Sequence, residues 1–374
     1  MLSIFLSLIV DIVFSRQKAR PYLPRKPLMG PAIRFLLMKS SSGPEYLIYG
    51  AGAIGSVLGG FLHKIGRSVT LAGRGEHFRA LSERGLKITG IWGEHYLPAE
   101  EVQILSGQME EKKFPVILLC VKSKDTLASV AEAAPLLQEG GIMISMQNGL
   151  NNWEAVASQV GEERTAGARV IFGAEVIEPG LVRVTVNADD LLLGEPFLPV
   201  NRHLLGTVQK DLFSSGIPTR IVDKDEIWAA LWGKVLYNCS LNPLGALLEV
   251  PYGKLGEDEE TREIMKIIIE EIFLVIRAKG VKAPYRDAGE YFHFLMEKQL
   301  PPTRDHRASM LQDILTGRMT EIDSLNGAIC QYARRHSIPA PYNDLLTALI
   351  KFKEKKSSID RSKIYEHEVV DARF

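Results

Sequence analysis

The sequence has few cysteines and no pattern of metal ligands. Its three cysteines, Cys120, Cys239 and Cys330, stand far apart, and an odd, sparse set does not build a disulfide framework. The cysteines and the eight histidines contain no C-x-x-C, H-x-x-x-H or H-E-x-x-H pair. We therefore expect a protein of a reducing compartment that holds no metal ion.

An excess of charge of either sign is also missing. Lys and Arg together number 45, Asp and Glu also number 45, and the formal net charge is zero. Without a long basic run or a basic-aromatic pattern, we expect no nucleic-acid partner. The content of 46% hydrophobic and 24% charged residues over 374 positions is typical of a globular protein with room for two domains.

The N-terminus carries an apolar run that is too short for a simple membrane span. Residues 1–14 are apolar except for a few positions such as Asp11, and as a helix they would reach about 21 Å against a hydrocarbon core of roughly 30 Å. The run could be a membrane-associating or targeting arm, a disordered extension, or sequence upstream of the true start. We favour the third interpretation because Met38 stands just before the first predicted strand. Residues 1–43 are therefore expected to lie outside the fold, and the location is expected to be cytoplasmic.

A glycine-rich turn gives the first indication of function. The run Gly50-Ala51-Gly52-Ala53-Ile54-Gly55 follows an apolar strand pattern at 46–49 and opens a helical pattern at 54–65. In this context Gly50 permits a tight turn, Gly52 lets the backbone approach a pyrophosphate, and Gly55 lets the helix pack on the strand. The start of the helix also offers unpaired N–H groups to phosphate. A plain strand-to-helix turn without a ligand is the alternative.

The end of the second predicted strand indicates which dinucleotide is bound. A pocket for NAD places Asp or Glu there, on the ribose 2′-hydroxyl, whereas this chain has Ala72, Gly73 and Arg74. A guanidinium can donate two parallel hydrogen bonds to a 2′-phosphate. This favours NADP, although a solvated surface arginine is the alternative and Glu76 stands nearby.

The remainder of the chain divides into a βα-repeating half and a helical half. Continuous apolar runs at 114–121 and 141–146 are typical of strands buried in a parallel sheet, and residues 166–195 alternate as further strands. Lys122 and Asn148 follow two of these strands, so both belong to the rim that carries the glycine turn. We expect an α/β Rossmann-type dinucleotide-binding domain at 44–222, an all-α domain at 223–352 and a loosely ordered charged tail at 353–374.

The helical half carries polar residues in an apolar setting. Lys234, Asn238 and Asn242 recur at i, i+4 and i+8, which places them within an arc of about 80° on one helix face. They either contact a polar substrate or form a solvated stripe or an interhelical hydrogen-bond seam. A second polar set contains Ser309 and Glu321 and, taken alone, indicates only an amphipathic helix.

Together these segments resemble the ketopantoate reductase family, over residues 46–351. The resemblance rests on motifs in a shared order, namely the glycine turn, Val121-Lys122, Gln147-Asn148-Gly149, Leu231-Trp232-Gly233-Lys234, Asn238-Cys239, Asn242-Pro243, Ser309 to Asp313, Thr320 to Asp323 and Asn326-Gly327. It implies a Rossmann domain joined to a helical domain, with the substrate in the cleft between them. It also implies NADPH-dependent reduction of ketopantoate to pantoate, a step toward pantothenate and coenzyme A.

The resemblance further implies a role for each matched residue. Lys234 would be the general acid, and Glu321 would orient both Lys234 and the substrate hydroxyls. The remaining roles follow by position: Asn238, Asn242 and Ser309 hold the hydroxyl and carboxylate ends of the substrate, Asn148 lies near nicotinamide and substrate, and Arg74 and Lys122 hold the adenosine phosphate end.

One position departs from the family. Where members often have an Asn-Gly that faces the substrate, this chain has Tyr252-Gly253, and we expect the Tyr252 side chain to reach the cleft mouth and read the distal end of the substrate. The departure leaves open a reductase of another, bulkier 2-oxo acid. A non-catalytic NADP-binding sensor is a further alternative, and a homodimer is one oligomeric state that the sequence leaves open.

Overall fold

A computed structural model describes residues 43–105 and 112–371, with side chains described up to residue 356. Twelve strands alternate with helices through its first half. The strands are β1 (Tyr46–Tyr49), β2 (Val69–Ala72), β3 (Leu86–Gly90), β4 (His95–Leu97), β5 (Gln103–Ile104), β6 (Phe114–Leu119), β7 (Leu137–Ser145), β8 (Thr165–Arg169), β9 (Phe172–Glu178), β10 (Leu181–Asn187), β11 (Leu191–Gly194) and β12 (Thr219–Val222). The helices of this half are α1 (Ala53–Lys64), α2 (Gly75–Arg84), α3 (Thr126–Ala133), α4 (Asn152–Val160) and α5 (Arg202–Ser215).

The main sheet has eight strands in the order β12-β11-β8-β7-β6-β1-β2-β5. All neighbours pair in parallel except β8 and β11, which are antiparallel. The apolar strands β1, β6 and β7 lie at its centre, and the side chains of both their faces enter buried clusters. The other four strands form a smaller sheet in the order β4-β3-β10-β9. The predicted strands at 166–195 are therefore shared between two sheets.

The second half is helical from Lys224 onward. Its helices are α6 (Lys224–Leu248), α7 (Tyr252–Glu257), α8 (Glu259–Ala278), α9 (Ala288–Phe294), α10 (Ser309–Leu315), α11 (Asn326–Arg335) and α12 (Pro341–Asp371). The Asp223 side chain caps α6 by accepting from the backbone N–H of Glu226 at 2.8 Å, which explains why the helix begins there. Helices α6 and α8 contribute many side chains to one large core. The predicted fold class, a Rossmann-type α/β half followed by an all-α half, is confirmed.

The boundary predicted after Phe352 stays a prediction as a domain limit, and the residues that follow it can be described in part. Helix α12 continues without a break through this position. Glu354 is buried and accepts a hydrogen bond of 2.7 Å from the backbone N–H of Thr320, and Lys353 donates to the carbonyl of Ala246 at 2.7 Å. The first residues of the expected tail thus belong to the helical core because α12 supplies partners to two other segments.

The two halves belong to one compact unit, so the boundary at 222/223 marks a change of architecture and stays a prediction as a domain boundary. The apolar N-terminal run, residues 1–14, lies outside the described residues. Within the described ranges, no helix has the length and apolar character needed to cross a membrane.

Candidate active site

The glycine turn lies between β1 and α1 at the carboxyl end of the main sheet. Gly50 has φ 109°, and a Cβ atom there would lie 2.6 Å from the backbone nitrogen of Val121, so only glycine fits. A Cβ atom on Gly55 would lie 2.2 Å from the Gly50 carbonyl oxygen, which shows the close approach of helix and turn. A Cβ atom on Gly52 would meet open space.

The start of α1 has the properties of a phosphate cradle. Gly52 is its N-cap and supplies no side-chain hydrogen bond, and the first turn contains no acidic residue. The backbone of Ala51, Ala53 and Ile54 therefore borders the open space beside Gly52. No carboxylate of the first turn competes there for the backbone N–H groups. Because such helix starts bind anions through N–H groups and the helix dipole, the turn fits a dinucleotide pyrophosphate.

Arg74 lies at the end of β2 as the N-cap of α2. Its side chain is 84% exposed, and Nη2 donates to Oδ2 of Asp125 at 3.0 Å. An exposed ion pair of this kind contributes little to stability. The guanidinium can therefore exchange Asp125 for a phosphate at small cost.

Lys122 contacts the helical half. Its Nζ lies 2.5 Å from Oδ2 of Asp313 and donates to the Met319 carbonyl at 3.3 Å. Both partners come from the helical segment that includes α10. A role of Lys122 at the adenosine phosphate end stays a prediction, and it would require this ion pair to open.

Asn148 connects the two residues expected to be catalytic. Its Oδ1 accepts from Nζ of Lys234 at 2.5 Å, and its Nδ2 donates to Oε2 of Glu321 at 3.1 Å. The other oxygen of Glu321 accepts from Oγ of Ser123 at 3.2 Å. Lys234 also donates to the Val170 carbonyl. The expected orientation of Lys234 by Glu321 thus runs through an amide in this structure.

The loop that carries Asn148 is fixed to the segment that carries Glu321. The backbone N–H of Leu150 donates to the Ser324 carbonyl at 2.8 Å. Gly149 has φ 82°, and a Cβ atom there would lie 2.6 Å from that same carbonyl oxygen. The rim of the sheet and the helical half are therefore in close contact beside the Lys234 ammonium.

The surroundings of Lys234 make its ammonium a better acid. Burial is the main cause and the positive charge of Arg169 adds to it, while the Glu321 carboxylate acts in the opposite direction, and together they lower the pKa of Lys234 to about 8. The group is therefore charged at neutral pH and able to release its proton near it.

The other predicted substrate contacts lie at different depths. Asn238 is half-buried, Asn242 is buried and Ser309 is exposed at the first position of α10. The expectation that Tyr252 reaches the cleft mouth is wrong. It is 2% exposed at the start of α7, and its hydroxyl donates to Oδ1 of Asn242. The ring of Tyr252 packs against the ring of Tyr237.

Sequence reasoning missed two residues of this region. Ser123 binds Glu321 and stands directly after Lys122, so its place at the end of a buried strand was a usable signal. Arg169 is the last residue of β8 and is only 8% exposed. A charged residue that ends an otherwise apolar strand at the ligand rim was the signal for Arg169.

Comparison with known proteins gives concordant matches. The family model "Ketopantoate reductase PanE/ApbA" matches residues 46–196, and its C-terminal counterpart matches residues 226–354. A curated 2-dehydropantoate 2-reductase of Aquifex aeolicus is 36% identical over 312 residues, which cover 83% of this chain and 97% of that protein.

Solved structures agree with these matches. A PanE/ApbA family ketopantoate reductase of Ralstonia eutropha has a TM-score of 0.74 at 30% identity, covering 84% of this chain and 99% of its own. D-mandelate dehydrogenase, in a ternary structure with NADH and anilino(oxo)acetate, has a TM-score of 0.75 at 24% identity with the same coverage. The second likeness shows a shared fold.

Proposed function

The chain belongs to the ketopantoate reductase family and is an oxidoreductase, and from this premise we propose that it reduces the ketone of a 2-oxo acid, ketopantoate to pantoate, with NADPH. Pantoate is consumed in the synthesis of pantothenate and coenzyme A, and we assign the enzyme to that pathway. The observation that carries the proposal is the Lys234 ammonium, held by Asn148 at the sheet rim that also carries the glycine turn.

The roles of the site residues follow from their contacts. Bound NADPH would supply the hydride. Lys234 has three N–H donors, and in the described structure two of them bond Asn148 and Val170. The third is available to the ketone oxygen, on which negative charge develops, and it can deliver the proton there.

Glu321 acts on this step indirectly, through Asn148. Its carboxylate fixes the amide of Asn148, and Asn148 in turn presents its oxygen to the ammonium. The same negative charge keeps the pKa of Lys234 from falling further. Glu321 therefore maintains both the position and the protonated form of the acid.

Two features support NADPH as the cofactor. The positions at the end of β2 contain no acid, and Arg74 is exposed beside the start of α2. The D-mandelate dehydrogenase structure contains NADH, so the test of the proposal compares both nucleotides.

Tyr252 bears on the identity of the 2-oxo acid. It takes the place of an amide that often faces the substrate in the family, yet it is buried against Asn242. The substitution therefore acts on the substrate through Asn242, whose oxygen accepts from the tyrosine hydroxyl, and the identity of the acid is decided by the panel of substrates below. A non-catalytic sensor is disfavoured because binding alone requires no acidic ammonium.

The test is the initial rate of NADPH and NADH oxidation across a panel of 2-oxo acids that includes ketopantoate and aromatic members. We expect the highest kcat/KM with NADPH and ketopantoate. A higher kcat/KM with an aromatic 2-oxo acid would identify that acid, and not ketopantoate, as the substrate. Binding of NADPH without turnover of any member of the panel would support the alternative of a non-catalytic sensor. The cytoplasmic location stays a prediction, as does the homodimer.

A further inference from the structure

Arg169 lies at the end of β8, on the face that meets the helical half. Side chains alternate along a strand, so Arg169 shares its face with Gly167. A Cβ atom on Gly167 would lie 2.5 Å from the indole of Trp153, and Trp153 belongs to the core that contains residues of α6. The alternate residues Ala166 and Ala168 enter the other core. Arg169 therefore points toward the helix that carries Lys234.

A backbone contact places Arg169 next to the acid. The carbonyl of Val170, the following residue, accepts a hydrogen bond from Nζ of Lys234. The Arg169 charge also lowers the pKa of Lys234, as the second cause after burial. The site thus has two cations close together at the rim of the sheet.

The guanidinium retains hydrogen-bonding capacity. Within the described residues its hydrogen-bond acceptor is Asp189, which binds Nη2 at 2.8 Å. That bond uses one terminal nitrogen of the guanidinium, and arginine has five N–H donors in all, so Nε and Nη1 are available to a ligand although the residue is 8% exposed. Asp189 itself is 57% exposed, and water therefore screens much of its charge.

The charges of the substrate favour a second cation beside Lys234. A 2-oxo acid has its carboxylate on the carbon next to the ketone, so a ketone oxygen at Lys234 places a second negative charge nearby. Glu321 is also negative, and the predicted substrate contacts Asn238, Asn242 and Ser309 are neutral. One ammonium cannot offset two carboxylates, and the planar fork of arginine matches a carboxylate.

We propose that Arg169 binds the carboxylate of the 2-oxo acid through its free N–H groups, while Asp189 fixes the orientation of the guanidinium. The proposal rests on the proposed function and adds a residue that reads the acid group of the substrate. It makes Arg169 the element that distinguishes a 2-oxo acid from an uncharged ketone.

The test compares ketopantoate with its primary amide, which keeps the ketone and the shape but has no charge. Arg169→Gln should raise KM for the acid roughly 10- to 100-fold, the effect of losing a charged hydrogen bond, and should change KM for the amide less than about threefold. NADPH binding, followed by fluorescence, should be unchanged. The matched control is Arg164→Gln, because Arg164 precedes the other end of β8 and donates to the Gln138 carbonyl; it should alter neither KM.

Several results would overturn the proposal. Equal losses on acid and amide would overturn the proposal, as would an unchanged KM for the acid with only a shifted pH dependence, since Arg169 would then act on Lys234 alone. If Arg169→Gln fails to bind NADPH, Arg169→Lys decides: it should raise KM for the acid more than for the amide, and an equal rise would overturn the proposal. If the wild type reduces no 2-oxo acid, the proposed function and this inference both fail.

Discussion

The pH dependence of ketone reduction should reveal the proton donor. Lys234 has a pKa lowered to about 8, mainly by burial, whereas an ordinary lysine has 10.5. The protonated form is the acid, so kcat/KM for reduction should be constant below about pH 8 and fall tenfold per unit above it. At pH 10 about 1% of Lys234 would be protonated, against roughly three-quarters for an unshifted lysine.

The assay is NADPH oxidation with ketopantoate at saturating NADPH, from pH 6 to 10.5. We expect a loss of roughly 100-fold between pH 7 and 10. Lys234→Arg should be slow and should show no alkaline loss in this range, because its guanidinium stays protonated. Glu321→Gln should shift the alkaline loss to lower pH, because the carboxylate raises the pKa of Lys234.

A wild-type rate that stays constant to pH 10 would refute the reasoning, since no group with a pKa of about 8 would then control proton transfer. An alkaline loss that persists unchanged in Lys234→Arg would assign the titration to another group.

Three further predictions concern the substrate, the cofactor and the arm. Tyr252→Phe leaves the Asn242 oxygen buried without its donor. The free energy of unfolding measured by urea titration should fall by about 1–3 kcal/mol, and KM for the 2-oxo acid should rise while NADPH affinity stays unchanged. Identical stability and KM would show that the hydrogen bond has no effect. Arg74→Ala should reduce the preference for NADPH over NADH about 10- to 150-fold in kcat/KM, the effect of one charge-assisted contact, and equal use of both nucleotides by the wild type would remove the premise. A chain that begins at Met38 should remain folded and fully active, as judged by circular dichroism and NADPH oxidation, whereas an inactive product beside an active full-length chain would show that the arm contributes to the enzyme.

Local sequence predicts the parts of this fold that are governed by local sterics. The glycine turn is an example, because the φ of Gly50 and the contact of Gly55 follow from the strand-turn-helix pattern alone. The start of α6 is another, because Asp223 is an N-cap whose partner is three residues away.

Contacts across the cleft could not be predicted in this way. Asn148 bonds Lys234 and Glu321, which are 86 and 173 residues away in the chain, and their meeting depends on how the two halves dock. Tyr252 follows a proline and looked like an exposed turn residue, yet the packing of α7 buries it behind Asn242. In both cases the environment of the side chain depends on which residues the fold brings against it, and its residue type does not reveal them.

The tail illustrates a third limit. Its charge suggested loose order, but Glu354 accepts from the backbone of Thr320 inside the core. A charged residue with a buried partner has the same sequence signature as a solvated one, because the pattern does not show what lies opposite it.

The most direct test of Lys234 as the proton donor is single-turnover oxidation of NADPH by ketopantoate at pH 7, in the wild type and in Lys234→Ala. Lys224→Ala serves as a matched control, since Lys224 is an exposed lysine at the start of the same helix. We expect the wild type and the control to oxidise NADPH at similar rates, and Lys234→Ala to be at least ~100-fold slower while it binds NADPH equally well by fluorescence. Oxidation by Lys234→Ala at a rate near that of the wild type would contradict the account.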